Sequence, residues 1–365
     1  MAVPTFFALV APHRTPPLAR ASFWMGIALN ELPLYPMMWM IAATALARWD
    51  ATLSTTEGRM ALPVAVGVVA ALMVILARGL VARGVLAGAL REAGFADGAD
   101  RVRYCGRPAR VLGSVLVPFA VRASGVRHGR NIRYGEYGRR NLLDVYSPVA
   151  PHPGAPVLVY FHGGGYFSGR KDKEARLLLY RLARRGWVCV SANYRLRPTA
   201  SFDDHLTDFE NVLAWTAGHA AEYDGDAGRV VLAGSSAGAH LISVAALAGS
   251  RHLPSGVGRA PMTVDAVVCF YGYYGYYYGL GPDSDTASCP GALVHPDAPP
   301  FLIVHGEHDT YVPVAGARTF ARQLREASNS SVVYAELPGA QHSFDLFRSP
   351  RFLSVVDAVE VFLSR

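Results

Sequence analysis

One short segment constrains the fold more than any other part of the chain. Residues 230–233 form an apolar run typical of a buried strand, and residues 239–247 favour a helix. Between them stands the pattern Gly-x-Ser-x-Gly, with Ser236 at its centre and Gly234 and Gly238 at its ends. Glycine suits both ends because a Cβ atom would clash in a turn tight enough to expose the hydroxyl group. We therefore predict strand, sharp turn and helix, with Ser236 as a nucleophile.

A second glycine-containing segment lies upstream and complements the first. Residues 156–161 are apolar and predict a buried strand, which runs directly into three glycines at 163–165. Successive glycines expose backbone N–H groups without side chains in the way, as the stabilisation of an oxyanion requires. The small Ala237 would present its own N–H at the start of the following helix. A flexible turn is the simpler explanation of these three glycines. The presence of both motifs in one chain nevertheless favours a catalytic role for them.

A serine nucleophile needs a base and a carboxylate that orients the base. His342 follows a predicted strand at 332–336, and Asp309 follows a predicted strand at 301–305. Both side chains would therefore reach the carboxyl ends of strands, in the chain order serine, aspartate, histidine. Asp309 could also be a turn or helix-capping residue, and Glu307 is the alternative acid. We predict a triad of Ser236, Asp309 and His342.

The other candidate histidines have structural explanations. His162 ends a predicted strand beside the glycines, and His240 lies four residues beyond Ser236 on the predicted helix. We expect His162 to brace the glycine loop and His240 to pack in the interior. His305, His308 and Asp309 resemble a set of metal ligands, but no second histidine–carboxylate group accompanies them. We therefore predict neither a metal nor a cofactor.

From residue 131 onward, strand and helix patterns alternate. The predicted strands cover residues 131–137, 142–147, 156–161, 187–192, 230–233, 264–270, 301–305 and 332–336. The predicted helices cover residues 173–185, 203–222, 239–247, 314–327 and 352–364. This alternation predicts an α/β domain at 131–365, with a mostly parallel sheet covered by helices on both faces. Ligands should then bind beyond the carboxyl ends of the strands.

The first ninety residues are unusually apolar, and we predict a membrane-anchoring helical region at 1–90. Residues 60–77 are uncharged and long enough for a membrane helix. A buried helix packed on the enzyme is the alternative. Residues 22–47 are also apolar, although Glu31 and two prolines interrupt them, so this segment is a transmembrane or re-entrant candidate.

A basic segment separates the two regions, and we predict that residues 91–130 form a juxtamembrane or cap segment. The formal net charge of the chain is +7, and residues 101–140 contain many arginines but a single acid, Glu136. The segment lacks the fold signature of a nucleic-acid module, so the predicted partner is anionic lipid headgroups. Residues 111–121 are apolar but too short to cross a bilayer, and either a surface helix or a cap over the site would fit.

Charge placement predicts the orientation in the membrane. Residues 48–59 balance two arginines with two acids, whereas Arg78, Arg83 and Arg91 follow the apolar stretch. Positive charge favours the cytoplasmic side, which would place the catalytic domain there.

Taken together, these motifs resemble the hormone-sensitive-lipase-like branch of the α/β-hydrolase esterases. The resemblance rests on His-Gly-Gly-Gly at 162–165, Tyr-Arg-Leu-Arg-Pro at 194–198, Gly-Ser-Ser-Ala-Gly at 234–238, Asp309 and His342. Residues 223–240 are also similar to membrane-bound prenylcysteine methylesterases. The resemblance covers roughly residues 130–365 and implies the α/β-hydrolase fold.

The resemblance also implies residue roles. Gly164, Gly165 and Ala237 would donate hydrogen bonds to the oxyanion, and Gly163 would shape the loop. Two features depart from the family pattern: many members carry an acidic residue where Ser235 stands, and their cap is a soluble helical pair. These departures leave the substrate preference open.

The predicted activity is hydrolysis of a lipophilic carboxylic ester through an acyl-enzyme by a membrane-associated serine esterase or lipase. Tyr166, Ser235 and Tyr271 are the candidate substrate-contacting residues, and the tyrosine-rich stretch 271–278 would lie near the pocket mouth. The alternatives are an acyltransferase with the same triad and a non-catalytic membrane scaffold. A homo-oligomer is possible.

Overall fold

The computed structural model describes residues 1–104, 113, 117–119, 121–248, 263–284 and 287–364. Within these residues, the helices are α1 (Ala2–Val10), α2 (Pro16–Glu31), α3 (Leu34–Trp49), α4 (Thr56–Glu92), α5 (Ala96–Tyr104), α6 (Arg176–Arg184), α7 (Phe202–His219), α8 (Ala237–Ala248), α9 (Val314–Ala327) and α10 (Pro350–Phe362). The strands are β1 (Val126–Arg133), β2 (Leu142–Pro148), β3 (Ala155–Phe161), β4 (Val188–Ala192), β5 (Gly225–Ser235), β6 (Val264–Phe270), β7 (Phe301–Gly306) and β8 (Val332–Leu337).

The eight strands form one sheet in the order β1-β2-β4-β3-β5-β6-β7-β8. Strand β2 pairs antiparallel with both β1 and β4, and the remaining neighbours are parallel. The mostly parallel sheet predicted from the alternating pattern is therefore confirmed. The first predicted strand is displaced, because β1 begins at Val126 and ends at Arg133.

The sheet is buried on both faces because successive residues of its central strands are apolar and point to opposite faces. In β3, Leu158 and Tyr160 pack in one apolar cluster with α4, α6 and α10. The intervening Val157 and Val159 pack in a second cluster with α7, α8 and α9. A parallel strand covered by helices on both sides requires such a continuous apolar run.

The N-terminal region differs from the sequence expectation in one respect. The apolar residues 22–47 do not form a single segment, since the chain breaks at Leu32 and Pro33 into α2 and α3. Proline lacks the N–H that a continuing helix would need. Among the described residues, only α4, with 37 residues, is long and apolar enough to cross a membrane. Some core helices of soluble proteins have the same length and composition. The predicted helix at 60–77 lies within α4.

Helix α4 belongs to two packing environments. Its residues Val68, Leu72 and Ile75 form a small cluster with Ala8 of α1. Further along, residues 82–90 pack in the main core beside the sheet. Helix α4 therefore continues from the N-terminal cluster into the core beside the sheet. The predicted cap segment at 111–121 falls mostly outside the described residues.

A buried ion pair joins the N-terminal helices to the last helix. The Arg351 guanidinium in α10 pairs with the Glu31 carboxylate at the end of α2, and Ser349 Oγ donates to Glu31 Oε2 at 2.5 Å. Both charged side chains are almost fully buried. This contact explains how a carboxylate is accommodated in the apolar segment, because a buried charge requires a partner.

Candidate active site

Three side chains predicted from separate motifs meet at one edge of the sheet. Ser236 Oγ–H donates to His342 Nε2 at 3.0 Å, and His342 Nδ1–H donates to Asp309 Oδ2 at 2.6 Å. Ser236 follows β5, Asp309 follows β7 and His342 follows β8. Because these strands are parallel, their carboxyl ends lie on the same edge. The arrangement is a serine hydroxyl beside an imidazole that a carboxylate orients.

The turn that carries Ser236 is strained and tightly packed. Ser236 has a φ of +53°, a left-handed conformation that side-chain-bearing residues rarely adopt. A Cβ atom at Gly234 would lie 2.7 Å from the Gly238 carbonyl carbon, and one at Gly238 would collide with the Phe161 oxygen. Both positions therefore require glycine, which is the physical basis of the Gly-x-Ser-x-Gly pattern.

The Asp309 carboxylate is held by its own turn. Its Oδ1 atom accepts hydrogen bonds from the N–H groups of Tyr311 at 3.0 Å and Val312 at 2.8 Å. Burial alone would raise the pKa of Asp309, but His342 and His305 beside it more than offset that effect and hold the pKa well below its usual range. Asp309 is therefore ionised at neutral pH. The alternative acid Glu307 is exposed and instead accepts the Gly339 N–H at 2.9 Å.

The glycine loop presents N–H groups beside Ser236. The Gly163 N–H donates to Glu174 Oε2 at 2.6 Å and is thus occupied. Backbone hydrogen bonds within the described part of the chain include none donated by Gly164 or Gly165, and Ala237, as the first residue of α8, has no acceptor inside its own helix. Gly164 and Gly165 have φ values of +111° and +61°. These three N–H groups are available to a ligand.

The two neighbouring histidines are bonded elsewhere. His162 Nδ1 contacts the Gly163 oxygen at 2.6 Å, and its ring stacks on Tyr194. His240 bonds through Nδ1 to the Tyr166 hydroxyl and through Nε2 to the Ser288 oxygen. Burial lowers the pKa of each to about 4, so both are neutral at physiological pH.

The three predicted substrate-contacting side chains are buried and hydrogen-bonded. Tyr166, Ser235 and Tyr271 are all buried. The hydroxyl groups of Tyr166, Ser235 and Tyr271 are bonded to His240, Asp345 and Asp345 respectively. The hydroxyl groups of all three side chains thus have partners within the protein, and their contact with substrate stays a prediction.

Other aromatic side chains lie beside His342 and beside the glycine loop. On the histidine side, the Phe23 ring of α2 lies 4.4 Å from the Tyr311 ring and 6.4 Å from the His342 ring, centroid to centroid. Beside the glycine loop, the exposed rings of Phe167 and Tyr278 meet edge to face at 5.6 Å. Phe23 could not be identified from the sequence because it lies in the region predicted as an anchor.

The chain is similar in sequence to proteins named as esterases. The family model BD-FAE matches residues 143–277. LipM of Mycobacterium tuberculosis, named a probable carboxylic ester hydrolase, is 39% identical over 262 residues, which cover 65% of this chain and 61% of LipM. A probable isoprenylcysteine alpha-carbonyl methylesterase of Oryza sativa subsp. japonica is 27% identical over 54% of each chain.

A solved structure is similar as well. The apo form of esterase 2 from Thermogutta terrifontis has a TM-score of 0.54 and 25% sequence identity, covering 66% of this chain and 92% of the esterase. The similarity covers most of the esterase and about the fraction of this chain that its α/β region occupies.

Proposed function

We propose that this chain, which has the α/β-hydrolase fold and is similar in sequence to carboxylic ester hydrolases, hydrolyses a lipophilic carboxylic ester at a membrane. One observation carries the proposal: the hydrogen-bonded series from Ser236 through His342 to Asp309. Because the chain spans 61% of the length of LipM, its own activity has to be established directly.

In the proposed reaction, Ser236 Oγ attacks the acyl carbonyl carbon while His342 Nε2 takes the hydroxyl proton. The carbonyl oxygen becomes an oxyanion and accepts hydrogen bonds from the N–H groups of Gly164, Gly165 and Ala237. His342 then returns the proton to the leaving alcohol, and the acyl group stays on Ser236. Water, deprotonated by His342, attacks the acyl-enzyme and releases the acid.

The role of Asp309 in this reaction is electrostatic. His342 becomes an imidazolium ion when it takes the serine proton, and Asp309 Oδ2 lies 2.6 Å from its Nδ1 atom. The low pKa of Asp309 keeps the carboxylate charged throughout the cycle, so it stabilises the imidazolium and fixes the tautomer.

The exposed apolar surface of the N-terminal helices supports the proposal that the substrate is lipophilic. Many large apolar side chains of α1 to α4 are exposed, including Trp24 (71%), Trp39 (70%) and Trp49 (90%). Exposed apolar surface of this extent is typical of a lipid-facing region. Residues 60–77 of α4 would extend about 27 Å at 1.5 Å per residue, close to the thickness of a hydrocarbon core.

Helix α2 connects that surface to the triad. Thr310 Oγ1, next to Asp309, donates to the Ala19 oxygen of α2 at 2.9 Å, and Phe23 packs beside His342. A substrate leaving the bilayer along α2 would therefore arrive at the imidazole without crossing bulk water. Arg78, Arg83 and Arg91 follow the apolar stretch and favour the cytoplasmic side for the catalytic domain.

The Ser236→Ala variant tests the assignment. We expect hydrolysis of a p-nitrophenyl ester by the detergent-solubilised full chain to fall by about 10⁴-fold or more, because the nucleophile is lost. Ser124→Ala, at an exposed serine, is the matched control and should retain parent activity. Activity of Ser236→Ala equal to that of the parent would exclude the proposed mechanism.

The substrate class is tested by the acyl-length profile of the parent. We expect kcat/KM to rise from acetyl to long-chain esters, because each buried methylene contributes about 0.8 kcal/mol. A strict preference for acetyl esters would contradict the lipophilic assignment. Product analysis with an added alcohol shows whether the acyl group passes to water, as we propose, or to the alcohol.

A further inference from the structure

Two carboxyl groups that take no part in the triad lie directly behind it. Asp345 is 2% exposed and stands three residues beyond His342 in the same loop. Glu174 is only partly exposed and lies just before α6. They are far apart in the sequence, and the mechanism above uses neither. A buried carboxylate is costly unless it is hydrogen-bonded, so their contacts require an explanation.

Together the two carboxyl groups hold all three catalytic segments. Glu174 Oε2 accepts the N–H of Gly163, the first glycine of the loop, at 2.6 Å. Asp345 Oδ2 accepts the hydroxyl of Ser235, the residue before the nucleophile, at 2.8 Å. Asp345 Oδ1 accepts the hydroxyl of Tyr271, whose ring centroid lies 4.6 Å from that of His342.

A chain of hydroxyl groups links the two acids. Ser235 gives its single proton to Asp345, so its oxygen must accept, and Tyr160 Oη donates to it at 2.8 Å. Tyr160 Oη also lies 3.4 Å from Glu174 Oε2, a longer contact in which the tyrosine hydroxyl is again the donor. Asp345 accepts from both Ser235 and Tyr271, which favours the ionised form of Asp345 and leaves Glu174 as the member of the pair that holds the proton.

The charges around the pair favour the same distribution. Burial, and then repulsion from Asp345, raises the pKa of Glu174 to about 8. Burial also raises the pKa of Asp345, although hydrogen bonds from Tyr271 and Ser235 oppose the rise. The titratable and charged groups facing the pair are Tyr160 from β3, Tyr194 after β4, Tyr271 after β6, His342 in the loop of Asp345, and Lys173 beside Glu174. Lys173 is exposed and therefore screened.

We propose that Glu174 and Asp345 are positioning residues that share one proton and hold the glycine loop, the serine turn and the histidine loop in their catalytic arrangement. The proposal rests on the proposed esterase function. When Glu174 loses its proton, two adjacent carboxylates repel each other, and the Gly163 backbone and the Ser235 turn shift relative to His342. A displacement of about 1 Å in such a site can lower the rate about 100-fold.

The pH dependence of kcat distinguishes this role from a purely structural one. In the parent, kcat should fall about tenfold per pH unit above pH 8, because the protonated fraction of Glu174 falls by that factor. Glu174→Gln keeps a neutral group of the same shape, so its kcat should equal that of the parent at pH 7 within about threefold and lack the alkaline fall. Glu222→Gln, at an exposed acid, should follow the parent.

The pH dependence of thermal unfolding reports the protonation of Glu174 independently of catalysis. A carboxyl group whose pKa rises from about 4.5 in the unfolded chain to about 8 in the fold binds more protons when folded. Its contribution to stability is present at low pH and is lost as the pH rises through that window. The Tm of the parent minus the Tm of Glu174→Gln should therefore decrease as the pH rises from 5 to 8.5.

Asp345→Asn tests the other member of the pair. The amide cannot accept from Ser235, Ala175 and Tyr271 together, so kcat at pH 7 should fall about 10- to 100-fold while KM changes less than about threefold. Asp283→Asn, at an exposed position, is the control.

Identical pH profiles of both kcat and Tm in Glu174→Gln and the parent would overturn the proposal, as would an unchanged kcat in Asp345→Asn. A parent protein without Ser236-dependent ester hydrolysis would instead refute the proposed function, and the Tm comparison would still decide whether the pair shares a proton.

Discussion

Apolar side chains are buried in the α/β region but exposed on the N-terminal helices. In β3, the apolar residues 157–161 are completely enclosed between helices. In α2 and α3, by contrast, Trp24 and Trp39 are largely exposed. Apolar side chains exclude water from the sheet in the first region and face outward in the second. A high apolar content therefore does not by itself identify a core.

The α/β region and the N-terminal helices are in direct contact, although their surfaces differ. Helix α4 contributes Val68 and Leu72 to the N-terminal cluster and Leu86 and Leu90 to the core beside the sheet. The Glu31–Arg351 ion pair adds a second connection. The outward-facing region is thus packed against the part of the molecule that carries the triad.

The largest expected effect concerns chemistry in the α/β region alone. His342→Ala removes the base that accepts the Ser236 proton, so kcat should fall by about 10⁴-fold or more. Membrane association should stay the same, because the N-terminal helices are unchanged. Ester hydrolysis and membrane sedimentation measure the two properties separately. His152→Ala, at an exposed histidine, is the control, and a parallel loss of both properties in His342→Ala would contradict the separation.

The next effect concerns the connection between the regions. Arg351→Met leaves the Glu31 carboxylate buried without its cation, which should reduce the free energy of unfolding by about 3–5 kcal/mol. The double variant Glu31→Leu with Arg351→Met should recover much of this loss, since neither charge is then buried. Denaturant unfolding in detergent gives both values. Additive losses in the double variant would show that the pair does not couple the regions.

A valine-to-aspartate substitution, made once in each region, tests whether α4 faces lipid. Val66 in α4 and Val149 after β2 are exposed to a similar extent, 61% and 56%. Val66→Asp should reduce membrane insertion, because a carboxylate in mid-span costs about 2.5–3.5 kcal/mol. Val149→Asp should leave it unchanged, since that position faces water. Membrane flotation of the two variants measures the difference, and equal effects would contradict a lipid-facing α4.

The smallest effect concerns the contact between α2 and the triad. Phe23→Leu removes the aromatic contacts with Tyr311 and His342 while retaining an apolar side chain. We expect kcat/KM for long-chain esters to fall about 2- to 10-fold, the contribution of an aromatic pair, with acetate esters less affected. Phe6→Leu, an exposed phenylalanine of α1, is the control. An equal decrease for all acyl lengths would exclude a role for Phe23 in substrate recognition.

The sheet and the meeting of Ser236, Asp309 and His342 could be predicted because the signals are local. Each side chain follows an apolar strand directly, and parallel strands bring their carboxyl ends to one edge. The pattern Gly-x-Ser-x-Gly predicted the turn because only glycine fits at Gly234 and Gly238. The catalytic roles of the three residues remain predictions until the variants are measured.

The features that were missed depend on contacts between distant parts of the chain. The partner of Glu31 could not be identified from the sequence because Arg351 lies 320 residues away. The hydrogen bonds of Tyr166 with His240 and of Tyr271 with Asp345 each span 74 residues, so the motifs beside these tyrosines gave no sign of them. Asp345 itself carries no local signal, since its contact with Ser235 spans 110 residues.

The central claim is that Ser236 is the nucleophile of an esterase, and mass-spectrometric mapping after reaction with a fluorophosphonate tests it most directly. In the full-length protein reconstituted in lipid vesicles, we expect one phosphonate on the peptide that contains Ser236, with a parallel loss of ester hydrolysis. Ester hydrolysis that continues while Ser236 is unlabelled, or a label on a different residue, would contradict the account.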